Sequence, residues 1–234
     1  MGLDLHYGWV MTMVHTDLLV HERSLLECGE VVVGIDEVGR GALAGPMVLG
    51  AVVLTGASPP PETLTDSKLL TPRQRESLVE PLVGWAADWS LGSVSAGEID
   101  AWGLRLALAV AATRALDALH VRPSVALIDG SFNLLRAPQD VRFGAEPSPA
   151  LSYHAMEART FVKGDQRCAS IAAASVLAKV HRDRIMVELG RLFSDYGWSS
   201  NKGYGAKVHM DAIRRLGPTT HHRRSWQLPE MTTN

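Results

Sequence analysis

The fold is decided by the stretch Val31-Val32-Val33-Gly34-Ile35-Asp36-Glu37-Val38-Gly39-Arg40-Gly41. Its first five residues are mostly β-branched and carry no polar side chain, a pattern typical of a strand that is buried on both faces. Two acids and then two glycines follow the apolar run. The stretch therefore predicts a central strand with carboxylates at its carboxyl end and a glycine turn directly after it.

Further elements follow from the same kind of pattern. Predicted strands cover residues 47–54, 89–94 and 125–128, and a fifth strand closes at Phe161-Val162. Predicted helices begin at Thr71-Pro72, where threonine caps and proline takes the first position, and cover residues 104–119, 169–192 and 206–216. Three strands in a meander, followed by strands that alternate with helices, predict a mixed five-stranded α/β sheet with helices on both faces and a small helical C-terminal part.

The length of 234 residues suits one domain with a small appendage. We divide the chain into an N-terminal extension of unclear role (1–29), a main α/β domain (30–200), a basic C-terminal segment (201–226) and a tail (227–234). Oligomeric state and protein partners do not follow from the sequence.

Bulk composition excludes several classes of protein. The net charge is −2, so any nucleic-acid surface has to be a local patch. Two cysteines, Cys28 and Cys168, provide neither a disulfide framework nor a thiolate metal site. No apolar run reaches the ~20 residues that span a bilayer, and no Lys or Arg precedes Arg23 as a signal peptide requires. We expect a cytoplasmic protein without a membrane partner.

Acidic residues follow three of the predicted strands: Asp36-Glu37, Asp129 and, just past the fifth strand, Asp165. Carboxylates crowd together only when something neutralises them. Clusters of oxygen ligands suit Mg²⁺ or Mn²⁺, and two such ions ~3.5–4 Å apart can activate water and stabilise a leaving oxygen in phosphodiester hydrolysis. For a single acid, a solvated strand end or helix cap is the simpler interpretation. Three such sites, each with a glycine beside the acid, favour a metal centre.

Three other features can be interpreted as surface structure or as substrate contacts. Gly39-Arg40-Gly41 is either a tight turn or a loop whose N–H groups approach a ligand closely, and it lacks the residues of a Walker loop. Tyr204 is either a surface tyrosine or a ring that stacks on a nucleotide. Between residues 202 and 224, six basic residues oppose the single acid Asp211, which indicates a solvated face or a phosphate-binding face: Lys202, Lys207, Arg214, Arg215, Arg223 and Arg224.

The motifs together resemble the type 2 ribonucleases H, the ribonuclease HII family. The resemblance begins at Gly34-Ile35-Asp36-Glu37-Val38-Gly39-Arg40-Gly41-Ala42-Leu43-Ala44-Gly45-Pro46. It continues through Asp66-Ser67-Lys68, Ile128-Asp129-Gly130, Lys163-Gly164-Asp165, Ser170-Ile171-Ala172-Ala173-Ala174-Ser175-Val176-Leu177-Ala178-Lys179-Val180, Lys202-Gly203-Tyr204 and His222-Arg223-Arg224-Ser225-Trp226. Two positions depart from the family pattern, Ala42 where proline is frequent and Ala206 where threonine is common.

The resemblance implies a ribonuclease H-like fold and Mg²⁺- or Mn²⁺-dependent cleavage of RNA paired with DNA. It also implies cleavage of DNA that contains single ribonucleotides, as in ribonucleotide excision, with 5′-phosphate and 3′-OH products. By position, the family's metal-binding acids fall on Asp36, Glu37, Asp129 and Asp165. The glycine loop is implied to sense the ribose 2′-OH, and Tyr204 to pack on the sugar at the RNA–DNA junction. The expected substrate contacts are Gly39, Arg40, Gly41, Lys68, Lys163, Tyr204, Arg223 and Arg224.

Alternatives remain open from the sequence. Asp183 competes with Asp165 as the fourth acid, although the flanking Arg182 and Arg184 offer a plain salt-bridge role for it. A ribonuclease HIII-like enzyme, another nuclease of the same fold, or a catalytically inactive hybrid-binding module would share many of these features. The presence of all four acids argues against the inactive module.

Overall fold

The centre of the fold is strand β1 (Val32–Val38), in a computed structural model that describes residues 17–135 and 156–231. β1 pairs antiparallel with β2 (Met47–Leu54) and parallel with β4 (Val125–Asp129). Strands β3 (Asp88–Val94) and β5 (Glu157–Phe161) complete a sheet of order β3-β2-β1-β4-β5. The predicted mixed five-stranded sheet, with its initial meander, is confirmed.

Helices cover both faces of this sheet. They are α1 (Val20–Glu27), α2 (Pro72–Trp85), α3 (Ala96–Asp117), α4 (Ala169–Leu192), α5 (Trp198–Asn201) and α6 (Lys207–Leu216). Alternating strand residues point to opposite faces, so Val32 packs under α4 with α1 and α2, whereas Val33 packs against α3. The first half of α4 lies against β1 and β2 because its side chains there are small and apolar.

Strand β1 is longer than the apolar run predicts. Its pairing with β2 continues through Glu37 opposite Leu49 and ends at Val38 opposite Val48. Asp36 and Glu37 therefore lie inside the strand and start on opposite faces of the sheet. The glycine turn begins only after Val38.

Helix α3 begins at Ala96, eight positions before the predicted start at residue 104. Ser95 caps it in a capping box with Glu98, in which each side chain accepts a hydrogen bond from the other residue's backbone N–H. Gly103 has non-helical dihedrals (φ 72°, ψ 160°) and kinks the helix. The prediction located only the segment after this kink, because the first segment is polar and short.

The C-terminal part packs on the second half of α4 through its own apolar cluster, which includes Met186, Trp198 and Ile213. At the other end of the chain, Leu19 of the segment before α1 is buried in the core beneath the sheet, and Glu22 accepts hydrogen bonds from the N–H and hydroxyl of Ser170. Residues 1–16 of the predicted N-terminal extension lie outside the described residues. None of the helices in the described ranges is long and apolar enough to cross a membrane.

Candidate active site

Three carboxylates meet at the carboxyl end of the two central parallel strands. Ligand oxygens of Asp36, Glu37 and Asp129 all lie within 4.8 Å of one another. Asp36 and Glu37 lie near the carboxyl end of β1, just before its last residue Val38, and Asp129 is the last residue of β4. Parallel neighbours bring their carboxyl ends to one edge, so the sheet itself sets the spacing of the cluster.

Crowding and burial oppose ionisation of this cluster. Burial raises the pKa of Asp36 well above its usual range, against a hydrogen bond from Ser175, and the charges of Glu37, Asp129 and Asp165 raise it further. Burial also raises the pKa of Glu37, although the nearby Arg40 guanidinium opposes the shift. Without a cation, the folded state is therefore penalised for holding these groups as anions.

Asp165 lies outside the three-carboxylate cluster but within its electrostatic reach. It sits in a 3₁₀ turn, Gly164–Gln166, and its Oδ2 accepts a hydrogen bond from Lys68 Nζ at 2.8 Å. Burial raises its pKa despite this ion pair, and Asp129 adds to the shift. The same turn positions the cluster, since the N–H of Gly164 donates to Oδ1 of Asp129 at 2.6 Å.

The donor set fits a hard divalent cation. It offers only carboxylate oxygens at the three clustered positions, with further acids nearby and no thiolate. Mg²⁺ and Mn²⁺ prefer such ligands, and a cation would relieve the repulsion that raises the pKa of Asp36. The geometry thus supports binding of a hard divalent metal ion, which could also coordinate oxygen atoms of a substrate.

A cleft beside the carboxylates is lined by the loop Gly39-Arg40-Gly41 and by Tyr204. Gly39 has φ +88°, and a Cβ there would overlap the guanidinium of Arg182. Gly41 is exposed, and a Cβ there would meet nothing within 4 Å. The two glycines therefore differ in role, since the first is required by packing and only the second is free for close approach of a ligand.

Tyr204 is held at the cleft from two sides. Tyr204 is 37% exposed, and the guanidinium of Arg182 lies over its ring, 5.4 Å from the ring centroid. Its carbonyl oxygen lies 2.8 Å from Nδ1 of His209, whose Nε2 in turn accepts from Trp198 Nε1 at 2.9 Å. The tyrosine is therefore anchored by the C-terminal helices while one ring face remains accessible.

Comparison with known proteins agrees with this geometry. The family model of ribonuclease HII matches residues 33–229. The chain belongs to the ribonuclease HII family. It is 46% identical over 207 residues to ribonuclease HII of Streptomyces avermitilis, covering 88% of this chain and 81% of the relative. It is 44% identical to ribonuclease HII of Roseobacter denitrificans, covering 84% and 89% respectively.

Solved structures show the same fold. Ribonuclease H2 of Pyrococcus horikoshii superposes with a TM-score of 0.61 at 25% identity, over 84% of this chain and 94% of that one. A Bst ribonuclease HIII, solved in complex with Mn²⁺, superposes with a TM-score of 0.60 at 19% identity, over 85% and 68%. The ribonuclease H-like fold is confirmed. As a member of the ribonuclease HII family, the chain is a divalent-metal-dependent ribonuclease that acts on RNA–DNA hybrids.

Two residues of this ribonuclease HII site were not singled out from the sequence. Asp66 is buried, and burial opposes its ionisation, but hydrogen bonds from Lys68 N–H and Gln166 hold its pKa below the usual value. Ser175 on α4 bonds both to Asp36 and, at 2.8 Å, to the hydroxyl of Ser67. Asp66 belongs to the Asp66-Ser67-Lys68 motif of the family resemblance, although only Lys68 of that motif is predicted as a substrate contact.

The position of Arg223 differs from the one predicted. It was expected to contact a phosphate, but its side chain is fully buried. Its guanidinium donates to the carbonyl oxygens of Gly39 at 2.7 Å, Arg40 at 2.8 Å and Gly45 at 3.3 Å. A guanidinium committed to three internal acceptors is not available to a phosphate, so the side chain supports the glycine loop instead.

The predicted basic face is also less charged than the sequence indicates. Lys207 and Arg214 both pair with Asp211, and Arg215 pairs with Asp195. Arg224 is exposed, as is Lys163, which precedes the turn that carries Asp165. Among the cationic residues predicted to contact the substrate, Lys163, Arg224, Lys68 and Arg40 are exposed, whereas Arg223 is buried.

Asp183 has a structural explanation, but its partners differ from those predicted. Its Oδ1 accepts from Lys179 Nζ at 2.7 Å, and its Oδ2 lies 4.0 Å from Arg75. The flanking arginines turn elsewhere, because adjacent helix positions point in different directions. Arg184 bonds to Glu76, and Arg182 donates to backbone carbonyls.

Proposed function

We propose that this member of the ribonuclease HII family cuts on the 5′ side of a ribonucleotide at an RNA–DNA junction, including a single ribonucleotide embedded in duplex DNA. The products are a 3′-OH and a 5′-phosphate. The observation that carries the proposal is one cleft that combines Asp36 and Glu37 with the glycine loop, Lys68 and Tyr204. Hydrolysis and recognition of the sugar therefore share a site. Such an activity would serve ribonucleotide excision during DNA replication and repair.

Asp36, Glu37 and Asp129 would hold the metal, with Asp165 completing the set from the adjoining turn. Two Mg²⁺ or Mn²⁺ ions bound there would activate water and neutralise charge on the phosphate. The protein supplies the fixed geometry. Gly164 N–H orients Asp129, and Lys68 restrains Asp165 while its exposed ammonium would be available to a phosphate of the substrate.

The glycine loop and Tyr204 supply the preference for a junction. Telling RNA from DNA requires the sensing of one hydroxyl, which both donates and accepts hydrogen bonds. Backbone groups at Gly41 can approach that hydroxyl because no side chain stands in the way. An aromatic ring such as Tyr204 packs well on a deoxyribose and is crowded by an added 2′-OH, which favours DNA on the next position.

Product analysis tests this function. Matched duplexes would carry one ribonucleotide, an all-RNA strand, or DNA only, each with Mg²⁺ and separately with Mn²⁺. We expect a single cut beside the lone ribonucleotide, cuts in the all-RNA hybrid, and none in DNA. Cutting of the long hybrid alone would indicate ribonuclease HIII-like specificity, and binding without cutting would indicate an inactive hybrid-binding module. Either result would overturn the proposal.

Tyr204→Ala tests the reading of the junction separately. The ring lies on the surface of the cleft, so its loss should leave the fold intact while lowering cleavage at a single ribonucleotide by about tenfold, the effect of one lost base- or sugar-stacking contact. Asp183→Asn is the control, since that carboxylate bonds within the protein. Wild-type rates on both the single-ribonucleotide and the all-RNA duplex in Tyr204→Ala would make the tyrosine an ordinary surface residue.

A further inference from the structure

The buried guanidinium of Arg223 holds two consecutive peptide groups of the glycine loop. It donates to the carbonyl oxygen of Gly39 and to that of Arg40, at 2.7 and 2.8 Å. Both acceptors belong to peptide bonds inside the loop that lines the cleft. Because Arg223 itself is fully buried, these contacts lie on the inner side of the loop.

A trans peptide group is planar, and its C=O and N–H point in opposite directions. None of the peptide bonds in the described residues is cis. When the carbonyl of Gly39 points inward to Arg223, the N–H of Arg40 in the same peptide points outward. The inward carbonyl of Arg40 likewise turns the N–H of Gly41 outward. Two adjacent donors are thereby presented on the side away from Arg223.

We infer that Arg223 is a positioning residue for substrate discrimination: by anchoring two carbonyls it aims the N–H groups of Arg40 and Gly41 at the ribose 2′-hydroxyl. The inference rests on the proposed function, in which this loop senses that hydroxyl. The guanidinium is suited to the task because it is a rigid fork with donors in fixed directions, whereas a lysine ammonium is a single point of attachment.

The surroundings of Arg223 support a dedicated role. Its backbone N–H donates to Leu43 O, and the N–H of Gly45 donates to the carbonyl of His221, so the segments run side by side. Its Nε is buried and has no partner among the described residues. Burying an unpaired donor lowers the stability of the folded protein. The placement of Arg223 satisfies the loop carbonyls but leaves its own Nε–H without an acceptor.

Arg223→Lys tests the inference with binding as the readout. The parent protein would be Asp129→Asn with Mg²⁺, which prevents cutting. Two duplexes that differ only in one 2′-hydroxyl would be titrated by fluorescence anisotropy. We expect the parent to bind the ribonucleotide-containing duplex more tightly, and Arg223→Lys to lower that affinity ratio by about tenfold, the effect of one hydrogen bond. Affinity for the all-DNA duplex should change little.

Arg75→Lys is the matched control. Arg75 is also buried and also donates to two carbonyl oxygens, those of Ser67 and Leu70, but in a different loop. It should keep the affinity ratio of the parent. A folded Arg223→Lys protein with the parent's ratio overturns the inference. So does an equal loss of the ratio in Arg75→Lys, since that would reflect general loosening.

A backbone change covers the case in which Arg223→Lys fails to fold. Replacing Gly41 by glycolic acid turns its amide into an ester and removes the N–H without altering any side chain. We expect the same loss of about tenfold in the affinity ratio, and an unchanged ratio overturns the inference. Failure of the proposed function is seen elsewhere, as equal binding of the two duplexes by the parent or as no cleavage by the wild type.

Discussion

Asp36 and Glu37 of the carboxylate cluster line the same cleft as the glycine loop, but the cluster and the loop are held in different ways. Asp36, Glu37 and Asp129 take their positions from backbone pairing between β1 and β4, which no single side chain controls. The glycine loop is held by side chains: Arg223 donates to the carbonyl oxygens of Gly39 and Arg40, and Arg182 fills the space that a Cβ at Gly39 would occupy. The mutually repelling charges thus sit on the central strands of the sheet. The loop that we propose senses the sugar depends on side chains that are distant from it in sequence.

The largest effect is expected at the carboxylates. Asp36→Asn or Asp129→Asn should lower the rate of Mg²⁺-dependent cleavage by three orders of magnitude or more. A bound metal ion stabilises the transition state by several kcal/mol, and a loss of about 4 kcal/mol slows the reaction about a thousandfold. Without metal, Asp36→Asn should be as stable as the wild type or more so, since burial raises the pKa of that carboxyl. Thermal melts with and without Mg²⁺ measure this.

Wild-type Tm should rise with Mg²⁺, and that rise should be lost in Asp36→Asn and in Asp129→Asn. Asp183→Asn provides the comparison, because its carboxylate is engaged by Lys179. Near wild-type turnover in both site variants would remove them from the metal centre. If Asp183→Asn alone were inactive while Asp165→Asn cut normally, Asp183 would be the fourth acid.

The second prediction separates packing from recognition within the loop. Gly39→Ala should destabilise the protein by about 2–4 kcal/mol, because its positive φ is strained for alanine and the methyl group overlaps buried Arg182. Gly41→Ala should change stability by less than about 0.5 kcal/mol. It should nevertheless lower cleavage at a single ribonucleotide by roughly tenfold, since a methyl group would obstruct close approach of the sugar.

Urea denaturation and cleavage rates on the same two variants measure these effects. We expect the two measurements to separate the variants: Gly39→Ala should be the less stable protein, and Gly41→Ala should be stable but slower in cleavage at a single ribonucleotide. Equal stability of the two variants would show that Arg182 can move aside, and the loop would then be less firmly packed than its contacts indicate.

The same contrast explains what the sequence could and could not predict. Asp36 and Asp129 were predicted because strand ends followed by glycine are local patterns, and parallel strands necessarily bring such ends together. Asp165 and Lys68 were predicted as site residues, but their ion pair was not, because it links two loops 97 residues apart. Arg223 was assigned to phosphate because it belongs to a stretch, residues 202–224, with six basic residues and a single acid.

Burial of Arg223 depends on tertiary contacts with a loop 183 residues away, which no local pattern reports. The start of α3 was predicted late for a related reason. Its first segment carries polar residues before the kink at Gly103, so the apolar pattern begins only afterwards. Periodic and local features were predictable from this chain, whereas contacts made by single side chains over long separations were not.

The third prediction concerns His222, a buried histidine that contacts His209, whose other ring nitrogen contacts the carbonyl oxygen of Tyr204. Burial, and then the neighbouring His209 and His221, lower the pKa of His222 to about 4. In the unfolded chain a histidine titrates near 6.5, so from pH 6.5 downward the unfolded state takes up a proton that the folded state cannot. This contribution to stability is complete above pH 6.5 and should fall by up to about 3 kcal/mol as the pH approaches 4.

Chemical denaturation of wild type and His222→Gln across pH 4–7.5 isolates this contribution. The difference between the two curves is the relevant quantity, because acids with raised pKa, such as Asp36, change stability in the opposite direction. His120→Gln is the control, since the side chain of His120 is 94% exposed. A pH-independent difference between wild type and His222→Gln would mean that His222 titrates normally in the folded protein.

The smallest effect is expected on the outer surface of the C-terminal segment. Arg224 is exposed, and its backbone N–H is fixed by Asp100, so its position is defined while its side chain faces solvent. If it contacts one phosphate, Arg224→Ala should flatten the dependence of log Kd on log salt by roughly 0.9 for a duplex and weaken ribonucleotide-containing and all-DNA duplexes alike. Lys207→Ala should leave the slope unchanged, because Lys207 pairs with Asp211 at 2.7 Å. Anisotropy titrations at several salt concentrations distinguish the two variants. Identical slopes for Arg224→Ala and wild type would place this arginine outside the substrate contact, and recognition would then rest on the loop and the residues that hold it.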